Sequence, residues 1–490
     1  MINPGKISLS TIGWSLLFML VLYFPTIHYI NHLPIRWWDE SLFGLRALHI
    51  YKTGDYLSNF QLYDGLMDHR NTKLPFTTWI QVLFMKFLGV KVLALRLPVI
   101  MIFLATVAFT LRFAKKNLSA ISIGVIFTLV MICSPGIVRD HILRTGDHDM
   151  AFLCYLFVMV ISCFQYLECN SKKYLGLFAI SLIAALLTKN LLAGAFLPGL
   201  LLYTIYSKKI IGVLTDKFVW IIILSVVGIF SGSVFYLNET YPGFVDRMWG
   251  YELMGRYTDA KDGHKGGLGF FLNDLAVTSF KIYFWMVPLS LLVLFTKKLS
   301  GISSRLLICL GIVYFSYILI ISFAETKLFW YGIPIIPVGA MMIGIALNHI
   351  YNVYILNKKK YLRYLILSVF AIIVFVIPYK GIVESIIQDQ IMHGEERFGL
   401  FIKKISMDHP SIRSFTLADK DFGTAAMWYK EQYNIENGFN INYQSNNTFG
   451  LGETVMTCLY DVTPNILKQY EVEVIQIWNN CQLIKIIREK

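Results

Sequence analysis

Apolar runs long enough to cross a bilayer recur along this chain from Leu9 to about Pro378, separated by short loops. A hydrocarbon core of roughly 30 Å takes ~20 consecutive apolar residues as a helix, and unpaired backbone is not tolerated there. Composition agrees: 56% of the 490 residues are hydrophobic and 15% are charged, with a mean hydropathy of +0.57. A soluble chain carries roughly a quarter charged residues. The pattern therefore predicts a polytopic α-helical membrane protein, with spans near 8–30, 92–114, 119–138, 150–168, 174–188, 190–206, 218–237, 276–296, 304–323, 328–348 and 362–378. The first run is long and lacks a small-residue cleavage site, so it reads as an anchoring span.

The net charge of +13 sets orientation rather than pointing to a nucleic-acid partner. Lys115-Lys116, Lys172-Lys173, Lys208-Lys209 with Lys217, Lys297-Lys298 with Arg305, and Lys358-Lys359-Lys360 fall in alternate loops, and Lys6 joins them. By the positive-inside rule that side is cytoplasmic. The opposite side then holds residues 31–91, the 139–149 loop, the 238–275 loop and the tail. Phe76–Leu88 is short for a span and reads as a helix lying flat at the outer interface.

Two parts follow. Residues 1–378 form the membrane body, whose outer loop 31–91 carries interfacial helices, and 379–490 form a small extracytoplasmic α/β domain. Within the tail, Ile412–Leu417, Val472–Ile477 and Gln482–Ile487 read as strands and Thr424–Gln432 as a helix. Cys458 and Cys481 are its two cysteines, free to pair in an oxidising compartment or to stay apart.

Ionisable residues collect at the outer ends of the spans. Asp39-Glu40 follows the first span, and Asp147-His148-Asp149 precedes another. Acidic residues there can simply favour a helix N-terminus, as Asp39 would for Ser41–Tyr51. Alternatively Asp39 is a general base, and Asp147 and Asp149, alternating in an extended loop, share a cation with His148 as a further ligand. Lys73, Lys189 and Lys327 could snorkel to the interface or bind a lipid phosphate. Glu252, Arg256 and His264 are interleaved with aromatic residues that suit either a sugar site or an aromatic belt. Tyr331 precedes Pro334 and Pro337, whose kink would border a cavity. Carboxylates and cations gathered on one face at headgroup depth suit an enzyme with a lipid-phosphate donor.

On these motifs the chain resembles the GT-C integral-membrane glycosyltransferases, in the branch of protein O-mannosyltransferases and lipid A aminoarabinose transferases. The matching pieces are Asp39-Glu40 with Thr53-Gly54-Asp55, and Asn71-Thr72-Lys73-Leu74-Pro75-Phe76 with Arg96-Leu97-Pro98. Then come Arg144-Thr145-Gly146-Asp147-His148-Asp149, Leu187-Thr188-Lys189, Gly255-Arg256-Tyr257 after Glu252, His264, and Lys327 with Trp330-Tyr331. Leu74 stands where the family has a first proline.

The resemblance implies inverting transfer of a sugar from a polyprenyl-phosphate donor to a lipid, glycan or protein acceptor at the outer face of the membrane; the compact tail and loops and the lack of a retention signal point to a bacterial inner membrane, with the site facing the periplasm. It makes Asp39 the base, with Asp147 or Asp149 orienting the acceptor or a cation. It assigns Lys73, Lys189, Arg256 and Lys327 to the donor phosphate, and leaves Glu40, Glu252, His264 and Tyr331 as further site candidates. Some relatives hold a divalent metal ion near the site and others need none. The competing reading is a lipid-linked sugar flippase or transporter, which would place ionisable groups along a mid-membrane path.

Overall fold

In the computed structural model, which describes residues 9–57, 61–63, 66–67, 71–139, 141–260, 263–296, 299, 301–388, 394–420, 423–446 and 448–490, the apolar runs are helices. Leu9–Thr26 (α1) leads to Asp39–Thr53 (α2), Phe76–Leu88 (α3), Val92–Asn117 (α4), Ile121–Ile132 (α5) and Pro135–Val138 (α6). Asp149–Cys169 (α7), Lys172–Lys189 (α8) and Leu197–Tyr206 (α9) follow. The expected basic positions Lys6 and Lys297-Lys298 lie outside the described residues.

Seven helices among the described residues are long and apolar enough to cross a membrane. The pair Phe270–Ser279 and Ile282–Phe295, bent by 115°, adds an eighth if it is one span. This is an integral membrane protein. The count is lower than the run of apolar segments predicts, for two reasons. First, Ile121–Ile132 is 12 residues long, and α1, at 18 residues, is shorter than the run at 8–30. Second, α8 and α9 are joined through a 3₁₀ segment into one 35-residue helical stretch, Lys172–Tyr206.

That stretch nevertheless doubles back. A straight helix of its length would reach ~52 Å, yet both of its ends meet the C-terminal end of α7. Lys172 pairs with Asp216, which accepts a hydrogen bond from the Tyr166 hydroxyl at 2.7 Å. Lys209 lies 3.1 Å from Glu168, which also holds Arg305 at 2.5 Å. The reversal is at Asn190, whose φ of 53° few side chains tolerate. The basic loops thus gather at one end of the helical body. Twenty-one residues of α7 separate them from Asp149, about 31 Å of helix and close to one hydrocarbon thickness.

The tail builds a five-stranded sheet. The strands β1 (Gln61–Tyr63) and β2 (Leu66–Met67) form a separate small hairpin, and β3 (Ser414–Ala418), β4 (Asn440–Gln444), β5 (Thr454–Thr457), β6 (Tyr470–Trp478) and β7 (Cys481–Glu489) follow. The order is β4-β3-β5-β7-β6, with β3 parallel to both neighbours and β7 antiparallel to β5 and β6. The helix Thr424–Asn437 is the crossover from β3 to β4. Asn479 and Asn480, at φ 43° and 66°, close the β6–β7 hairpin as its two-residue turn. Cys458 and Cys481 are disulfide-bonded between the end of β5 and the start of β7.

This sheet does not have a core to itself. Phe398, Phe401 and Trp428 share one apolar cluster with Leu45, Leu48 and Ile50 of α2 and with Val82 and Met85 of α3. Polar contacts seal the seam: Ser41 and Thr424 hydroxyls meet at 2.6 Å, and the Tyr429 hydroxyl accepts from the Ile35 N–H at 2.8 Å. A Cβ on Gly44 would lie 2.9 Å from both Leu95 and Trp428, so the close approach of α2 to this seam needs glycine.

Asp419, at the end of β3, is fully buried. One carboxylate oxygen accepts the Lys420 N–H at 2.7 Å, and the other has no partner among the described residues. Burial pushes its pKa up to about 7, against the opposing pull of the Lys420 N–H. A carboxyl raised in the folded state stabilises below its unfolded pKa of ~3.9, and that contribution is lost as pH rises through the folded value. The thermal midpoint of detergent-solubilised protein should therefore fall between pH 4 and pH 8, and Asp419→Asn should flatten that fall and melt higher than wild type at pH 8.

Candidate active site in a charged cavity

The site is assembled around a carboxylate that never reaches it. Glu40 is fully buried against Arg96, with Arg96 Nε 2.7 Å from Oε1 and Nη2 2.7 Å from Oε2. The same guanidinium donates to the carbonyls of Ile30 and Leu33 at 2.9 Å and of Pro34 at 2.6 Å. Glu40 also accepts the N–H of Gly146 at 2.6 Å and of Arg36 at 2.7 Å. One ion pair thus ties the end of the first membrane segment, α2, α4 and the loop before α7 together. A Cβ at Gly146 would come within 2.7 Å of Leu95, so the loop sits against α4 only because that residue is glycine.

With Glu40 turned inward, its neighbour Asp39 faces a cavity of about 880 Å³. Asp39 opens α2, behind Trp38 at φ 74°. Beside it lies His141, a residue the sequence reading passed over, from the loop between α6 and α7. Its Nδ1 is 3.4 Å from Asp39 Oδ2 and 3.1 Å from Asp147 Oδ2. Burial alone would depress the His141 pKa, but Asp147 and Asp39 outweigh it and lift it to about 11. Burial raises the Asp147 carboxyl to about 6 despite His141. Burial would raise Asp39 as well, yet His141, then Lys189 and Arg46, bring it below its ordinary value. Asp39 is therefore a carboxylate at neutral pH.

A second cluster lines the same cavity. Lys73 lies 2.8 Å from Glu252, and Arg256 lies 3.3 Å from the other oxygen of that carboxylate one helical turn on. Burial would raise Glu252, but the two cations hold it down at about 2. Burial is also what lowers Lys73, against the pull of Glu252. The Arg256 guanidinium stands 5.3 Å from the Tyr251 ring centre and 5.8 Å from that of Tyr331. Lys189, at the reversal between α8 and α9, donates to Asp149 at 2.5 Å.

Asp39, Asp147, Asp149, Lys73, Lys189, Glu252, Arg256, His264 and Tyr331 all line this cavity, and Glu40 and Lys327 do not. Lys327 is turned away, donating to the carbonyls of Ser322 at 2.7 Å and of Ala324. Its ammonium satisfies the C-terminal carbonyls of the helix Gly301–Ser322, where positive charge is favoured. His148 also leaves the lining: it stacks on Phe43 with ring centres 3.9 Å apart and lies 3.3 Å from Gln81. Burial holds it well below its usual pKa and so neutral. Besides His141, the sequence reading missed Arg46 and Glu396, which line the cavity together with Arg36 and Trp330. Arg46 was legible, because it lies two turns beyond Asp39 on one helix face. Glu396, from the tail, accepts from Arg36 at 3.2 Å and from the Trp37 N–H at 3.3 Å, a long-range contact that no local pattern encodes.

Among the described residues no group of three or more His, Cys, Asp and Glu could hold a metal ion. The nitrogen of His141 lies where a cation shared by Asp39 and Asp147 would sit. The donor set therefore does not fit the divalent ion that some relatives carry.

No family model and no curated protein sequence matches this chain. Among solved structures, ArnT from Cupriavidus metallidurans bound to undecaprenyl phosphate is similar at a TM-score of 0.70 and 14% identity, covering 96% of this chain and 98% of that one. The same protein in the apo state gives 0.69 and 13%, over 97% and 98%. At such identity the likeness carries the fold, and it extends over nearly all of both chains.

Because the Glu40–Arg96 pair is wholly buried, removing one partner strands the other charge, at a cost of about 3–5 kcal/mol. Arg96→Met should lower the thermal midpoint sharply and make the 31–36 and 144–147 segments labile in hydrogen exchange. Glu40→Met with Arg96→Met should recover part of the loss.

Proposed function

We propose that the protein is an inverting glycosyltransferase that moves a sugar from a polyprenyl-phosphate donor to an acceptor on the outer face of the membrane. The observation that carries this reading is that one cavity is lined both by carboxylates, Asp39 and Asp147, and by cations, Lys73, Arg256 and Lys189. Inversion needs a base on one face of the anomeric carbon and a stabilised leaving group on the other.

In this reading Asp39 takes the proton of the acceptor's nucleophile as that atom bonds to the anomeric carbon. The bond from that carbon to the phosphate oxygen breaks, and its electrons stay on the phosphate. Lys73 and Arg256 stabilise that charge, with Lys189 nearby. Glu252 and Asp149 pair with these cations, so binding a phosphate exchanges one set of anionic partners for another. Tyr331 and Tyr251 flank Arg256 and offer rings on which a sugar can stack. His264 stands at the exposed rim, within reach of either substrate.

Orientation rests on charge. The basic loops meet at one end of the helical body and the cavity opens near the other, so the positive-inside rule puts the cavity outside. The Cys458–Cys481 disulfide supports an oxidising compartment for the tail. A bacterial inner membrane with the site facing the periplasm accommodates both. The acceptor is a lipid or glycan of the cell envelope, or a protein.

The test is label transfer from a panel of polyprenyl-phosphate sugars to membrane-extract acceptors by purified protein. Asp39→Asn should lower turnover by ~10²–10⁴-fold while donor binding persists. Donor movement across proteoliposomes that survives Asp39→Asn, with no transfer by wild type, would instead mark a flippase. Lys73→Met should weaken donor binding at least ten-fold, ~1.4 kcal/mol, whereas Lys327→Met should leave it unchanged and lower only the thermal midpoint.

A further inference from the structure

Two carboxylates aimed at one atom repel each other unless a cation lies between them. Asp39 Oδ2 and Asp147 Oδ2 both approach His141 Nδ1, at 3.4 and 3.1 Å. His141 is held there against its own backbone preference, at φ 70°, a conformation that persists only where surrounding contacts impose it. Those contacts come from two aromatic residues: the ring of Trp330 is tilted against the imidazole with centres 4.7 Å apart, and Phe329 stands edge-on at 6.3 Å. The Thr145 hydroxyl donates to Asp147 Oδ2 at 3.1 Å, and Asp147 Oδ1 is buried with no partner among the described residues. The other charges acting on the two carboxylates are Lys189 and Arg46 on Asp39, and Glu40 on Asp147.

We infer that His141, as an imidazolium, is the positioning residue of this site: it holds Asp39 and Asp147 ionised and aligned, taking the place of a divalent metal. The inference rests on the transferase reading. It assigns Asp147 no proton transfer of its own. Asp147 anchors the imidazolium through the charge of Oδ2. With its Oδ2 turned to the imidazolium 3.4 Å away, Asp39 presents Oδ1 as the proton-accepting atom. The proton taken from the acceptor ends on Asp39, and His141 keeps its own throughout.

Two measurements test it, one independent of catalysis. In protein with ¹⁵N-labelled histidine, the His141 ring signals, assigned by their loss in His141→Gln, should be those of an imidazolium from pH 5 to pH 9. Asp147→Asn should bring the transition down into that window. A neutral ring at pH 8 in wild type overturns the proposal whatever the protein's activity.

In the transfer assay, His141→Ala should lower kcat by ~100-fold, the scale of a misaligned reacting group, with donor affinity unchanged. Added imidazole should restore part of the rate. The acid limb of its kcat/KM profile should move to higher pH, since Asp39 and Asp147 then compete for one proton. Wild-type transfer should be indifferent to EDTA. A rate lost without a shifted limb and without imidazole rescue would mark a purely structural histidine and overturn the proposal, as would EDTA inhibition of wild type. If wild type transfers no sugar from any donor while the ring signals are those of an imidazolium, the transferase reading fails and the charge arrangement stands.

Discussion

Glu40 and Arg96 are the two charges this structure cannot do without. Neither side chain has any exposure, and a buried pair of this kind is tolerated only when every remaining donor and acceptor is satisfied. Here the spare capacity is spent on backbone: three carbonyls of residues 30–34 on one side, the N–H groups of Arg36 and Gly146 on the other. The pair thereby fixes the spacing between α2, which carries Asp39, and the loop that carries Asp147. It also fixes which of two adjacent carboxylates looks outward, because neighbouring positions at the start of a helix diverge by about 100°. Charge burial here sets the geometry of a site whose members range from the buried Asp147 to the exposed His264.

From that anchor, α7 carries the architecture across the membrane. Its first residue, Asp149, holds Lys189 within the cavity, and near its other end Glu168 holds Lys209 and Arg305 among the basic loops. Both α7 and α8 thus place opposite charge where their dipoles favour it: a carboxylate at the N-terminus of one, an ammonium at the C-terminus of the other. The same two helices set the distance between the two charged ends, which is why a rule about loop composition and a feature of the cavity can be read on one structure.

Much of this was legible in the sequence. Apolar run length gives the membrane class, and alternation in the tail locates β3, β6 and β7 to within a few residues. The strands β4 and β5 were not legible, because Asn440–Gln444 has little strand propensity and pairs only by virtue of the parallel crossover beside it. The candidate site was readable as a set of residue types at span ends, and most of that set meets in one cavity. The departures share a cause. Glu40 and Lys327 look like site residues by type and position, but the Glu40 charge is taken up by Arg96 and two backbone N–H groups, and that of Lys327 by backbone carbonyls at a helix end. His141 carries no motif and acquires its place only when Phe329 and Trp330 arrive from a segment nearly two hundred residues away. Sequence pattern reports which groups are present at a depth, whereas their assignment to backbone, to each other or to substrate is settled by tertiary contact.

The pairing of the cavity's charges bears on how such a site selects what it binds. Lys73, Arg256 and Lys189 are each matched to a carboxylate, so the cavity is preorganised without a large uncompensated field that would attract any passing anion. A phosphate gains over Glu252 only by offering more acceptor oxygens to the same donors, in the geometry those donors already hold. At the other cluster the logic is reversed: two carboxylates that would repel each other are held by an imidazolium between them. One cluster is a pair of cations shared by an anion, the other a pair of anions shared by a cation. Each central group, Glu252 and His141, sets the spacing of the two groups beside it. The reacting atoms would then pass between two such clamps, with the base on one and the leaving group's charge met by the other.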